Sequence, residues 1–226
     1  MPVNSKKPTT NESSTSPPNK QSNIPPIDER LPASRFVLFF GLLIAGLAAD
    51  LITKAWVFNN YFDVGIAKER THGQYVAFWW IDGVFGVQPS TNPGALFGMG
   101  AGFSLYFAIF SAIALTAIVV WLFVYKAAID RWLTFSLGLI SGGILGNCYD
   151  RIGLGAQPDW PDHIRDNVRD WILFRLQGVP FFDPWPNFNI ADTLLVVGAA
   201  MLFIHSVVLY KEELNEQSQT STTEES

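Results

Sequence analysis

Two aspartates, Asp150 and Asp192, stand at the ends of long apolar runs, and each follows an asparagine by three positions, Asn147 and Asn189. A carboxylate near hydrocarbon is costly, so such groups tend to be paired and functional. Two neighbouring carboxyls do not both ionise easily and share one proton. The charged member can activate a water, and the protonated member can donate to a carbonyl oxygen and then to a leaving amine. That is aspartic-protease chemistry. Asp192 lies in the first turn of its apolar run with Asn189 as N-cap, and a helix N-terminus favours the ionised form. The competing reading is structural: carboxylates cap helices, and Arg151 could bridge Asp150. Asp50 and Lys54 are four apart, so an ion pair on one helical face explains them without chemistry. Cys148 has no histidine neighbour in sequence and reads as a packing residue. His72, His163 and His205 are scattered with no H-E-x-x-H, which disfavours a zinc protease.

The elements that hold these residues follow from composition. The chain has 226 residues, 49% hydrophobic and only 15% charged, with a net charge of −5. Ordinary soluble domains carry roughly 25% charged residues. The acidic balance argues against a nucleic-acid partner. A single cysteine excludes a disulfide scaffold within the chain. Residues 1–33 and 211–226 are polar and read as disordered tails around a membrane domain at 34–210. Four stretches near the ~20 residues needed to cross a bilayer predict spans at about 36–57, 103–125, 132–149 and 190–210. The first is read as a retained span rather than a signal peptide, because its leader is long and Pro-rich.

Two long loops, 58–102 and 151–188, separate the spans. Gln74–Ile81 and Gly83–Gln88 read as short strands. Ile164, Val168, Trp171, Ile172 and Leu176 recur at helical spacing and predict a short amphipathic helix at the membrane surface. An even span count puts both tails and the Lys126–Arg131 link on one side, and both loops on the other. The tail side carries eight Lys and Arg and the loop side seven. Lys126, Arg131, Arg30 and Arg35 lie close to span ends and favour cytoplasmic tails. Alternating helix directions then bring Asp50, Lys54, Asn92, Asn147, Asp150, Arg151, Asn189 and Asp192 to one membrane face. Gly142 and Gly146, in a G-x-x-x-G spacing, allow the close helix packing that would bring Asp150 near Asp192.

The same residues carry a family resemblance. The chain resembles lipoprotein signal peptidase, or signal peptidase II, an aspartic protease of bacterial inner membranes. The matching patches are Asp50 to Lys54; Asn92, Gly94, Phe97 and Gly98; the unbroken GGILGNCYDR at 142–151; Val168, Asp170 and Trp171; and the unbroken FNIAD at 188–192. The resemblance covers about residues 36–210. It implies a four-helix bundle with a small extracytoplasmic β-cradle, and an active site at the outer leaflet. It implies Asp150 and Asp192 as the catalytic pair, with Asn147, Arg151, Asn189 and Ala191 around it. Asp50, Lys54, Asn92 and Gly94 would support the site or hold the substrate backbone. The implied substrate is a prolipoprotein whose lipobox cysteine carries diacylglycerol, cut just before that cysteine by a monomer without cofactor or metal.

Leu96, where the family commonly has a small residue, and the insert 155–167 depart from the pattern. Trp79, Trp80, Phe85 and Phe181 are candidates for a clamp on the extended peptide; interfacial anchoring is the plainer role for each. A transporter or ion-relay subunit using the same aspartates is the alternative from another class. It would place polar residues deeper in the spans. A presenilin-type protease would need a GxGD patch on a span, which the sequence lacks.

Overall fold

The computed structural model describes residues 30–62, 77–94, 100, 102–183 and 185–224. Residues 31–226 form a unit distinct from 1–30. Among the described residues, four α-helices and a small sheet build the larger unit. Helix α1 is Ala33–Asn60. Strands β1, Phe78–Ile81, and β2, Phe85–Asn92, come next. Helix α2, Ser104–Val119, ends in a π-turn over Val120–Val124. Helix α3 is Arg131–Arg151, strand β3 is Val168–Phe174, and helix α4 is Ile190–Glu224.

Among the described residues, three helical segments rather than four are long and apolar enough to cross a membrane: Ala33–Asn60, Ser104–Val124 and Ile190–Glu212. The expected third span, α3, has the length but not the apolarity. Its small and polar residues explain why. Thr134, Ser136, Gly138, Ser141, Gly142, Gly143, Gly146 and Asn147 are buried against its neighbours. Helix α3 is therefore the central post of the bundle, packed mainly on α1 and α4 and less on α2. Gly146 shows the tolerance required. A Cβ there would sit 2.4 Å from the Asp50 carboxylate and 3.0 Å from the Ala191 methyl.

The two ends of the bundle are held differently. At one end, Phe36 stacks on Phe123 with centroids 4.3 Å apart, and Phe39 meets the same ring edge-on. Nearby, Asp130 caps α3 by accepting the Leu133 N–H at 2.9 Å and pairs with His205 of α4. At the other end, the sheet lies over the termini of α1, α3 and α4. Its order is β1-β2-β3, antiparallel throughout. The β2–β3 register breaks between Val87 and Ser90, where Pro89 has no N–H to give. Val57, Phe58, Val87, Trp160, Ile164, Trp171 and Ile172 form the core joining sheet to α1.

The structure departs from two further expectations. The amphipathic helix read over 164–176 is strand β3, preceded by a single 3-10 turn at Asp162–Ile164. Every β3 residue from Val168 to Leu173 is buried. A strand covered on both faces loses its two-residue alternation, so its apolar residues can mimic helical spacing. The polar tail expected from 211 onward is helical to Glu224. Lys, Glu, Leu and Gln are good helix formers, and extending an existing helix avoids the cost of nucleation. The predicted strand at 83–88 falls within the β hairpin, whereas Gln74–Val76, residues 95–99 with Leu96, and most of the N-terminal tail lie outside the described residues.

Candidate active site

Helix α1 brings Asp50 and Lys54 to the sheet end, and both are fully buried. A lysine has three N–H donors. Lys54 directs them to Asp50 Oδ2 at 2.7 Å, Asp150 Oδ2 at 2.9 Å and Asn147 Oδ1 at 3.2 Å. The other oxygen of Asp50 accepts the Ala191 N–H at 2.9 Å. That N–H is in the first turn of α4, where no intrahelical acceptor exists. Asp50 therefore joins the ends of α1 and α4, so the expected i,i+4 pair exists and is one part of a larger network.

Asp150, in the last turn of α3, is held on both oxygens. Arg169 gives Oδ1 two hydrogen-bonding nitrogens, Nε at 2.8 Å and Nη2 at 2.7 Å. The Arg169 backbone N–H reaches Oδ2 at 3.1 Å. With Lys54 this makes Asp150 the centre of two buried ion pairs. Arg151, the neighbour expected to bridge it, turns elsewhere. Its guanidinium lies 5.0 Å over the Phe107 ring and reaches the Gly94 carbonyl at 3.4 Å. The carboxylates its charge acts on most are Asp192 and then Asp170.

Asp192 draws its hydrogen bonds from different groups. It accepts Asn147 Nδ2 at 2.7 Å and the Asn189 N–H at 3.1 Å, while Asn189 Oδ1 accepts the Asp192 N–H at 2.9 Å. This reciprocal cap fixes Asp192 at the N-terminus of α4. The same Asn189 side chain donates to Asp170 Oδ1 at 2.7 Å and to Asn147 Oδ1 at 3.0 Å. Asn92 of β2 donates to the second Asp170 oxygen at 3.2 Å and accepts the Gly94 N–H at 3.0 Å. Asp170 is buried, whereas Asp192 is half-exposed. Burial pushes the Asp170 carboxyl well above the ordinary carboxylate range, and the charge of Asp192 pushes it further. Lys54, Asn92 and Asn189 oppose this without cancelling it.

The local folding that creates this geometry is legible. Phe188 bridges to Ile172, its carbonyl accepting the Trp171 and Ile172 N–H groups at 3.0 and 2.8 Å. That bridge lays Asn189 alongside β3, opposite Asp170, just before α4 begins. Asn92 reaches Asp170 because it lies at the end of β2, two register positions along the ladder from the partner of Asp170. All the residues expected at the site are thus gathered at one end of the bundle: Asp50, Lys54, Asn92, Gly94, Asn147, Asp150, Arg151, Asn189, Ala191 and Asp192. The expected partnership of Asp150 with Asp192 takes a different form. Asp150 is engaged by two cations, and the carboxyl that feels Asp192 is Asp170. Sequence reasoning marks Asp170 only as part of a motif and does not mark Arg169 at all. The run VRDWILF carries the available signal, since an acid and a base inside a strand-like apolar run need buried partners.

The family model described as signal peptidase (SPase) II matches residues 42–208. The chain belongs to the signal peptidase II family. It is 48% identical over 175 residues to a lipoprotein signal peptidase of Rhodopirellula baltica, covering 77% of this chain and 74% of that one. A lipoprotein signal peptidase of Symbiobacterium thermophilum is 33% identical over 58% of this chain and 76% of its own length. A solved structure described as a bacterial membrane enzyme determined by the in meso method shares the fold. Its TM-score is 0.57 at 24% identity, covering 82% of this chain and 93% of that one. Family membership makes this protein an aspartic protease, and the ion-relay alternative finds no support among the relatives.

The aromatic candidates for a signal peptidase clamp lie on the sheet and the loop after it. Trp80 packs edge-on against Phe85 at 5.4 Å and faces Trp171 at 6.5 Å. Trp79 is half-buried, and Phe181 is 88% exposed with a positive φ of 68°. Cys148 packs towards α2, with its Sγ 3.9 Å from the Ala108 carbonyl.

Proposed function

We propose that Asp170 and Asp192 are the catalytic pair of this signal peptidase, and that Asp150 is a structural anion that positions them. Signal peptidase II enzymes remove signal peptides from prolipoproteins, and this chain does the same. The observation that carries the choice of residues is the division of charge. Four buried or half-buried carboxyls (Asp50, Asp150, Asp170 and Asp192) meet three cations (Lys54, Arg151 and Arg169). The cluster is neutral when one carboxyl is protonated, and uncompensated buried charge is costly. Asp50 and Asp150 are ion-paired to Lys54 and Arg169. The proton therefore resides on the remaining pair, chiefly on Asp170, whose carboxyl burial holds in its neutral form.

The chemistry follows from that state. Asp192, at the N-terminus of α4, acts as general base and takes a proton from water as the water attacks the scissile carbonyl. Asp170 gives its proton to the carbonyl oxygen. When the tetrahedral intermediate collapses, Asp192 returns its proton to the leaving nitrogen and Asp170 recovers one from the hydroxyl that becomes the new carbonyl. Asn92 and Asn189 hold Asp170 in place, and Asn147 orients Asp192.

The membrane setting belongs to the same reading. Helix α3 is 21 residues long and enclosed by α1 and α4, so it serves as the fourth span despite its polar inner face. The enzyme sits in the bacterial inner membrane with both tails in the cytoplasm and Asp170 and Asp192 at the outer leaflet. It acts as a monomer among membrane lipids. The substrate is a prolipoprotein whose cysteine carries diacylglycerol, which fixes the scissile bond at the depth of the pair. Trp80, Phe85 and Phe181 flank the extended peptide.

The test is a gel-shift cleavage assay in detergent with a lipidated prolipoprotein and its unlipidated twin. Asp170→Asn and Asp192→Asn should each lower turnover by about 10²–10⁴-fold or more, the range of general acid–base catalysis. Only the lipidated form should be cut. Wild-type turnover in the Asp170→Asn protein would return Asp150 to the catalytic pair.

A further inference from the structure

Arg169 is a buried cation of the cluster with no part in the proton transfers of the proposed mechanism. It is 6% exposed, sits on β3 immediately before Asp170, and commits both its side chain and its backbone N–H to Asp150. Its guanidinium also lies 5.9 Å from the Phe58 ring of α1. The Arg169 carbonyl accepts from Asn189 at 3.4 Å, the same amide that holds Asp170. The chain makes room for this arrangement. A Cβ at Gly155 would lie 2.8 Å from the guanidinium carbon and 2.3 Å from Asp150 Oδ1. Residue 155 therefore has to be glycine for the pair to close.

We propose that Arg169 is a positioning residue of the catalytic pair: by clamping β3 to the end of α3 through Asp150, it sets the place of Asp170 opposite Asp192. This rests on the reading of Asp170 and Asp192 as that pair. A planar guanidinium that brings Nε and Nη2 to one carboxylate oxygen fixes both distance and angle, and lysine cannot reproduce that geometry. The second consequence is electrostatic. The charged and titratable groups facing the pair are Asp50 and Lys54 from α1, Asp150, Arg151 and the Cys148 thiol from α3, and Arg169 from β3 itself. Removing the Arg169 charge leaves this set one unit more negative. Both protonation steps of the Asp170–Asp192 pair then move to higher pH, because a more negative surrounding disfavours each ionisation.

The experiment compares full-length Arg169→Gln, Arg169→Lys and Asp170→Asn with wild type in detergent, on the lipidated prolipoprotein across pH. Arg169→Gln should lower kcat by about 10–100-fold, the scale of an ångström misplacement, with KM little changed. Both limbs of its pH profile should move to higher pH. Arg169→Lys should restore the limbs to their wild-type positions while kcat stays reduced. A role confined to fold stability would lower the melting temperature and leave the limbs in place, and that result overturns the inference. So does wild-type kcat in either Arg169 variant. If Arg169→Gln does not fold, the Lys variant decides on kcat alone. An active Asp170→Asn protein would instead sink the choice of catalytic pair, whatever the Arg169 variants do.

Discussion

Asp150 and Asp170 lie at the same end of the same bundle, and both are buried, yet their environments differ in kind. Asp150 closes helix α3 against two cations and accepts from Lys54, the Arg169 side chain and the Arg169 backbone. Among the described residues, Asp170 accepts from the neutral amides of Asn92 and Asn189, and the charge of Asp192 acts on it. The first arrangement ties the carboxylate into two ion pairs. The second holds the carboxyl with neutral amides, and burial beside Asp192 raises it well above the ordinary carboxylate range. In the proposed assignment, the carboxyl that serves catalysis is the one with no direct ion pair among the described residues.

The largest effect that could break this contrast is on stability. Asp150→Asn removes the common anion of Lys54 and Arg169, and breaking a buried pair costs about 3–5 kcal/mol. Its melting temperature in detergent should fall sharply at neutral pH. Asp170→Asn should behave in the opposite sense. The folded state raises the Asp170 carboxyl above its unfolded value, so folding favours its protonated form. Stability from this group is present below the ordinary carboxylate range and is lost as pH climbs through the raised range. The Asn side chain is neutral at every pH and removes that loss. The melting temperature of Asp170→Asn at pH 7 should therefore equal or exceed that of wild type. A drop matching that of Asp150→Asn would erase the distinction between the two acids.

A smaller test sharpens the same contrast through packing. Gly146→Ala places a methyl against the Asp50 carboxylate and the Ala191 methyl, both within 3.0 Å. Over-packing of this kind costs about 1–3 kcal/mol. The strain falls on the contacts joining α1, α3 and α4, so melting temperature should drop and turnover should fall with it. Unchanged stability would show that the helices have slack at this point.

Much of the site is legible in the sequence, for reasons that particular residues show. Asp192, Asn189 and Asn147 stand out because an acid and an amide at the end of an apolar run have few structural uses that offset their desolvation. Asp50 and Lys54 are legible as a pair by their spacing, but not as a junction with Ala191, since that contact spans 141 positions. Arg169 escapes notice, and Asp170 is marked only as part of a motif, for one physical reason. Val168, Trp171 and Ile172 fit helical spacing, which sets 164–176 on the surface as a helix. A strand buried on both faces gives that same pattern, and only its pairing with β2 and Phe188 turns Asp170 inward. Among the described residues three helices rather than the expected four are apolar enough to cross a membrane, because the glycines and serines of α3 form its packed polar face.

The measurement closest to the central claim is infrared difference spectroscopy of the protonated-carboxyl stretch in detergent-solubilised enzyme at neutral pH. Wild type should show the band, and Asp170→Asn should lack it. A band that survives in Asp170→Asn would place the proton on another carboxyl of the cluster and contradict the account.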